Sequence, residues 1–138
     1  MKPFIAATAA FFLFGGPAVA EQSRIHQLVS AKAQKHGVPP KLAHAVVKAE
    51  SNYNCRAKNP SSSAAGVMQV LRRTANSVGV TGSLMNCDAG LEAGMRYLKI
   101  AYRNAGGDLC GAATLYNRGV GSKPVRSSYC RKIMSLMK

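Results

Sequence analysis

Apolar residues recur at helical spacing along most of the chain after residue 20, and the alternation typical of strands is hard to find. The spacing predicts helices from about Ser23 to His36, from Pro40 to Ser51, around Val67 to Ser77, from Asp88 to Gly106-Gly107, from Leu109 to Asn117, and from about Ser127 onward. Asp88 and Asp108 are suited to cap helix N termini, and Gly37 and Gly119 are suited to end helices. We therefore expect an all-α, mainly helical fold, with residues 21–138 forming one domain.

The first residues have the pattern of a secretory signal peptide. Lys2 precedes an apolar run from Phe4 to Phe14, and Ala18-Val19-Ala20 forms a small-residue cleavage pattern. The run is too short to anchor the chain across about 30 Å of hydrocarbon. We expect residues 1–20 to be a signal peptide, the mature protein to have no membrane span, and its location to be periplasmic or secreted.

Four cysteines, Cys55, Cys87, Cys110 and Cys130, lie in the mature part. An even number in an exported chain indicates disulfides, and three pairings are open. We favour the pairing of Cys55 with Cys87 and of Cys110 with Cys130, because each bond would then join neighbouring segments of the chain. The chain has no Cys-x-x-Cys pair and its histidines lack zinc-ligand spacing, so we expect no metal site.

The charge is strongly positive, with 19 Lys and Arg against 5 Asp and Glu, a formal net charge of +14. Removal of Lys2 with the signal peptide lowers it to +13. Such a charge attracts the chain to polyanions, including cell-envelope polymers, anionic lipid and nucleic acid, although it also serves solubility. The basic residues are dispersed, so we expect no specific nucleic-acid recognition.

Among the acidic residues Glu50 has an unusual position. It follows Val46 by four residues and Val47 by three, which places it on the apolar face of its helix. Burial there would raise its pKa, as a general acid near neutral pH requires. The alternative is a frayed helix end, with the carboxylate in water or paired with Lys48. The next acidic residue along the chain is Asp88, which is a candidate helix cap and so has a structural role. Glu50 therefore has no obvious second carboxylate beside it, and cleavage of a glycan would favour a mechanism with one carboxylate.

Five segments, in order, resemble motifs of the transglycosylase catalytic domain shared by soluble lytic transglycosylases and secretion-associated muramidases. They are Val46 to Asn54, similar to a helix ending in Glu-Ser; Ala64 to Val70 with Thr74-Ala75, similar to Gly-Leu-Met-Gln; Gly94 with Tyr97-Leu98, similar to Gly-x-x-Tyr-Leu; Leu115 to Gly119, similar to Ala-Tyr-Asn-x-Gly; and Tyr129 to Ile133, similar to a terminal tyrosine segment. The resemblance covers nearly all of residues 25–134. Ser63, Arg72 and Gly90 depart from the family pattern at positions that affect loop shape and capping.

The resemblance implies a lysozyme-like fold that binds peptidoglycan glycan strands and cleaves the β-1,4 bond between N-acetylmuramic acid and N-acetylglucosamine without a cofactor. It implies Glu50 as the catalytic acid/base. The substrate-binding residues that it implies are Ser51, Met68, Gln69, Tyr116, Asn117 and Tyr129. Each of these six also has a structural alternative, as a core side chain, a local cap or a partner of backbone groups.

Two other functions remain open from the sequence. A hydrolytic muramidase would use water in place of the muramoyl 6-hydroxyl, and a cationic envelope-binding protein would keep the fold without catalysis. The biological role is also open: wall turnover, attack on competitors, or service to a secretion or conjugation apparatus as a partner.

Overall fold

A computed structural model describes residues 15–138, and six α-helices form most of this part of the chain. They are α1 (Pro17–His36), α2 (Pro40–Ser51), α3 (Arg72–Ser77), α4 (Cys87–Asn104), α5 (Leu109–Arg118) and α6 (Ser128–Leu136). Extended segments within these residues pair only through isolated bridges that join Ala65 to Lys58 and to Val70. The all-α class is therefore confirmed. Of the expected signal peptide, residues 1–14, with the apolar run from Phe4 to Phe14, lie outside the described residues.

Two helix boundaries differ from the prediction. α1 begins at Pro17 instead of Ser23, because proline is tolerated at the first helical position, where its missing N–H is not needed. The helix predicted around Val67 to Ser77 is reduced to α3. Gly66 and Gln69 have φ angles of 80° and 49°, so the backbone before α3 is not helical.

The cap of α4 also differs from the prediction. Asn86 is the N-cap, and its side chain accepts a hydrogen bond of 3.1 Å from the Ala89 N–H. Asp88 instead lies in the first turn, where its carboxylate is 2.9 Å from Lys32 Nζ on α1. The other predicted cap is confirmed, since Asp108 accepts from the Gly111 N–H at the start of α5.

The core forms around α4. Helices α1, α3 and α5 pack against it, and α6 packs against α2 and α5. Its fully buried side chains include Val29, Leu42, Ala43, Val46, Val47, Leu91, Met95, Leu98 and Ile133. The predicted apolar face of α2 is therefore confirmed. Each large apolar side chain buried in this way contributes about 1.5 to 3 kcal/mol to folding.

One glycine sets how closely the irregular segment before α3 can approach α4. A Cβ at Gly94 would overlap the side chain of Met68, which is itself fully buried. Gly94 thus lets the backbone of Met68 and Gln69 lie against α4, which determines the position of these residues beside the end of α2.

Two disulfides fasten the fold at its periphery. Cys55 is bonded to Cys87, which ties the segment after α2 to the start of α4, and Cys110 is bonded to Cys130, which ties α5 to α6. This is the pairing that the sequence favoured. Within residues 15–138, no helix is long and apolar enough to cross a bilayer.

A buried ionic cluster joins α1 to α4, and the sequence reading did not single it out. Glu92 is only 8% exposed, and its carboxylate lies within 3.4 Å of nitrogen atoms of the basic side chains of Lys32, Lys35, His36 and Arg96. Burial alone would raise the pKa of this carboxyl. The hydrogen bonds from its basic partners outweigh burial and lower the pKa from 4.5 to about 2.

We expect Glu92→Gln to lower the free energy of unfolding at pH 7 by about 3 kcal/mol. The reason is that the pKa of this carboxyl is about 2 in the folded protein, whereas its ordinary value, taken for the unfolded chain, is 4.5. A lowered folded pKa stabilises the protein above the ordinary value, and this contribution is lost as pH falls from about 4.5 to about 2. Urea unfolding at several pH values would measure the difference. Glu21→Gln, in an exposed ion pair with Arg24, is the matched control with little effect expected. A Glu92→Gln effect independent of pH would contradict the assignment.

Candidate active site

An open cleft of about 470 Å³ lies where the end of α2, the segment before α3, and the end of α5 meet. Its walls are formed by Glu50, Asn59, Ser62, Ala64, Gln69, Val70, Leu71, Arg73, Thr74, Tyr97, Tyr116, Asn117, Arg118 and Gly119. Three residues proposed from the sequence are therefore found in the cleft with Glu50: Gln69, Tyr116 and Asn117. Ser51, Met68 and Tyr129 are not among its wall residues.

Glu50 is the penultimate residue of α2, at the edge between core and cleft. Burial raises the pKa of its carboxyl above the ordinary 4.5, although a hydrogen bond from Tyr129 and the positive charge of Lys132 act in the opposite direction. The alternative pairing with Lys48 is not found among the ion pairs of the described residues. Glu50 is thus half-buried, at the end of the helix on whose apolar face the spacing placed it.

Tyr129 reaches Glu50 from α6. Its hydroxyl donates to Glu50 Oε1 over 2.5 Å, across 79 residues of sequence. Burial, and then the negative charge of Glu50, raise the pKa of Tyr129 above its usual range, so the phenol stays protonated and remains a donor. The Ser127 cap and the disulfide at Cys130 fix this end of α6. Tyr129 therefore positions the carboxyl from behind the cleft wall.

Tyr116 forms part of the cleft floor and also holds the backbone of Met68 in position. Its buried hydroxyl donates to the carbonyl oxygen of Met68 over 2.7 Å, and its ring packs on Tyr97 with centroids 5.6 Å apart. Burial, and then the charge of Glu50, raise the pKa of the Tyr116 hydroxyl. The expectation that the Met68 side chain lines the cleft is not met, because that side chain fills the space above Gly94.

Ser51 and Gln69 fix the segment opposite Glu50. The Ser51 hydroxyl donates to the carbonyl oxygen of Val67 over 2.7 Å. Gln69 Nε2 donates to the carbonyl oxygens of Ala57 and Gly66, each over 3.0 Å. Ser51 acts as a fastener of the backbone, whereas Gln69 combines that role with a place on the cleft wall.

The turn after α2 is also held by side chains. Asn52 and Tyr53 have φ angles of 50° and 65°, which are uncommon for residues other than glycine. The Tyr53 hydroxyl is 2.9 Å from His44 Nδ1, and its ring stacks on His26 with centroids 3.8 Å apart. These contacts compensate the cost of the backbone conformation and direct the chain from Glu50 into the irregular segment.

The remaining four acidic residues have structural positions outside the cleft wall. Glu21 pairs with Arg24, Asp88 pairs with Lys32, Asp108 caps α5, and Glu92 is surrounded by cations. Across residues 15–138, no three His, Cys, Asp or Glu side chains are grouped as metal ligands would be. Glu50 is thus the one acidic side chain that the described part of the chain contributes to the cleft.

Several wall residues were not proposed from the sequence. They are Asn59, Ser62, Ala64, Val70, Leu71, Arg73, Thr74, Tyr97, Arg118 and Gly119. Seven of them lie between Asn54 and Gly82, in the stretch rich in Ser, Asn and Gly whose irregular composition marked it as a place for binding groups. The composition indicated the segment, but no signal indicated which of its side chains would face the cleft.

We expect Tyr129→Phe to raise the pKa of Glu50 further, because the variant keeps the buried ring but loses the donor that stabilises the carboxylate. Carbon-13 NMR titration of the glutamate side-chain carboxyls would measure this. Tyr102→Phe is the matched control, since Tyr102 is half-buried on α4 and does not form part of the cleft wall. An unchanged Glu50 pKa in Tyr129→Phe would contradict the hydrogen bond.

A known protein family matches most of the chain. The family described as Transglycosylase SLT domain matches residues 27–133, which include α2 to α5 and the segment between α2 and α3 in full. The matched residues contain Glu50, the cleft walls and Tyr129. The match supports a peptidoglycan-cleaving function of the lytic transglycosylase type and the lysozyme-like class of all-α fold. The chain belongs to the transglycosylase SLT domain family.

Proposed function

We propose that the protein is a lytic transglycosylase in which Glu50 is the single catalytic acid/base. It cleaves the β-1,4 bond between N-acetylmuramic acid and N-acetylglucosamine and leaves a 1,6-anhydro end on the muramic acid. The observation that carries the proposal is that Glu50, with a pKa raised by burial, is the one acidic residue among the described residues of the cleft wall.

In the first step Glu50 acts as a general acid. Burial keeps a share of its carboxyl protonated nearer to neutral pH than an exposed glutamate would be. Because Tyr129 donates to Oε1, Oε2 is the oxygen that carries the transferable proton. As the bond between muramoyl C1 and the glycosidic oxygen breaks, that oxygen takes the proton and leaves as the N-acetylglucosamine hydroxyl.

The second step needs a nucleophile for C1. A glycosidase with two carboxylates would place the second about 5 to 10 Å from the first, but the other acidic residues have structural positions outside the cleft wall. The muramoyl 6-hydroxyl serves instead, since an intramolecular group needs no separate binding step. Its oxygen bonds to C1 while the Glu50 carboxylate takes its proton, which restores the acid for the next cycle.

The other polar groups of the cleft bind sugar. Asn117 is exposed on the wall, and its amide can donate to and accept from hydroxyl and N-acetyl groups. The Gln69 carbonyl oxygen can accept from the same groups, since the Gln69 Nε2 already donates to backbone. Tyr116 keeps the floor in position through the Met68 carbonyl.

We expect Glu50→Gln to lower the rate of peptidoglycan cleavage about a hundred- to ten-thousand-fold or more, because the amide has the same size but no transferable proton. The variant should also be more stable at neutral pH. A folded pKa raised above 4.5 means that stability is lost as pH rises through that pKa, and the neutral amide avoids this loss. Cleavage of purified sacculi and melting temperature would be measured, with Glu21→Gln as a control of equal charge change.

Mass spectrometry of the released muropeptides identifies the reaction. The 1,6-anhydro product is lighter by one water than the product of hydrolysis. Hydrolysed products from the wild type would contradict the second step. A Glu50→Gln variant that cleaves at nearly the wild-type rate would contradict the whole catalytic assignment, and a wild type that binds sacculi without cleaving them would favour an envelope-binding protein.

We further propose that the protein acts outside the cytoplasm after removal of residues 1–20. The two disulfides and the peptidoglycan-type domain are consistent with an extracytoplasmic protein. Cleavage after Ala20 would remove four exposed residues from the start of α1. The buried residues of this helix begin at Ile25, so its packing against the core would be kept.

We expect the protein recovered from outside the cytoplasm to begin at Glu21 and to have no free thiol. N-terminal sequencing would identify the first residue, and thiol labelling under denaturing, non-reducing conditions would count free cysteines. An intact Met1 in the exported protein, or labelling of two or more cysteines, would contradict this part of the proposal.

A further inference from the structure

The cleft wall contains two arginines for which the proposed chemistry has no use. Arg73 comes from α3 and Arg118 from the end of α5, and both side chains are exposed. A guanidinium is always charged and cannot exchange protons with a substrate at ordinary pH. Neither arginine can therefore act as an acid or base. The role that remains for a charged side chain in the cleft is to bind a ligand.

Some cations of the fold have partners that explain their positions. Glu92 lies against Lys32, Lys35 and Arg96, Glu21 pairs with Arg24, and Arg72 donates to the carbonyl oxygens of Val80 and Gly82. By contrast, neither of the two cleft arginines has a carboxylate within 4.0 Å between residues 15 and 138. The cleft thus presents two positive charges to a ligand.

Helix stability does not account for both arginines. Arg73 lies in the first turn of α3, where a cation gains nothing from the helix dipole. Arg118 lies in the last turn of α5, a favourable place that Arg103 also occupies at the end of α4, away from the cleft. Arg103 therefore provides a direct comparison for Arg118.

We propose that Arg73 and Arg118 bind a carboxylate carried by the muramic acid unit, and so select acidic muramoyl glycans over neutral ones. The proposal rests on the proposed function, since it assumes that a muramoyl glycan occupies the cleft. Guanidinium groups bind carboxylates through paired, charge-assisted hydrogen bonds, which are about twice as strong as hydrogen bonds between neutral groups. N-acetylglucosamine has no carboxylate, so the muramic acid unit is the part that they recognise.

The carboxylate has two possible sources. In a glycan without peptides, the lactyl group of muramic acid ends in a free carboxylate. In a peptide-bearing glycan the lactyl group is consumed in an amide bond, and the carboxylates belong to the stem peptide. Both carboxylates offer the same chemistry to Arg73 and Arg118. Two glycans that differ only in whether they carry stem peptides can therefore show which carboxylate is bound.

The test measures binding in a full mature chain carrying Glu50→Gln, so that ligands are not consumed. Calorimetric titrations would use three short glycans of equal length: a muramoyl glycan without peptides, the same glycan with stem peptides, and a chito-oligosaccharide as the neutral ligand. The background protein would be compared with the same protein carrying Arg73→Gln and Arg118→Gln. The matched control carries Arg56→Gln and Arg103→Gln, which remove the same charge at exposed positions outside the cleft wall.

We expect the cleft variant to bind at least one acidic glycan about ten- to a hundredfold more weakly, as the loss of charge-assisted hydrogen bonds implies. Its affinity for the chito-oligosaccharide should change by less than about twofold. Loss confined to the peptide-free glycan would identify the lactyl carboxylate, and loss confined to the peptide-bearing glycan would identify the stem. The control variant should bind all three ligands like the background protein.

Three results would overturn the proposal: unchanged affinity for both acidic glycans, an equal loss for the neutral ligand, or an equal loss in the control variant. The last would mean that diffuse positive charge is responsible. Failure of the proposed function has a different signature, because it would be seen as product released by the Glu50→Gln background or as no product released by the wild type. Unchanged affinities, with a wild type that cleaves and a background that does not, would contradict only the role of the two arginines.

Discussion

Burial of the Glu50 carboxyl at the end of α2, in contact with Tyr129, is the interaction on which the rest of the site depends. Burial disfavours the charged form, whereas the tyrosine hydrogen bond favours it, so the two effects together set how readily the group ionises. A balance of this kind needs a fixed distance between two helices. The Ser127 cap and the disulfide between Cys110 and Cys130 hold α6, and the apolar face of α2 is packed in the core.

The second buried carboxylate of the fold shows that burial alone does not determine such a balance. Glu92 is also withdrawn from water, yet its pKa is lowered to about 2, because several cations surround it. Glu50 has a neutral phenol as its hydrogen-bond partner and only the more distant charge of Lys132. One carboxylate is therefore fixed in its charged form and joins α1 to α4, while the other remains able to exchange a proton.

The helices, the apolar face of α2 and the position of Glu50 could be predicted because they depend on local spacing of about 3.6 residues. Features that depend on partners far along the chain could not. Glu92 is explained by α1 side chains 56 to 60 residues away, and Met68 is in the core because Gly94 leaves space for it. The cap at Asn86 was missed since Asp88, two residues later, had an equally good side chain for the role.

Among residues 15–138, the residues with positive φ other than glycine occur in two places, just after α2 and before α3, close to Glu50 and at Gln69 of the cleft wall. Regular helix would continue past Glu50 and carry the following residues away from the wall opposite. Instead, Asn52 and Tyr53 turn the chain, and Gln69 turns it again before α3. Each turn has a side chain that holds it, the Tyr53 ring on His26 and the Gln69 amide on backbone carbonyls. The motif residues at these turns therefore determine the shape of the cleft, and of Asn52, Tyr53 and Gln69 only Gln69 also forms part of the cleft wall.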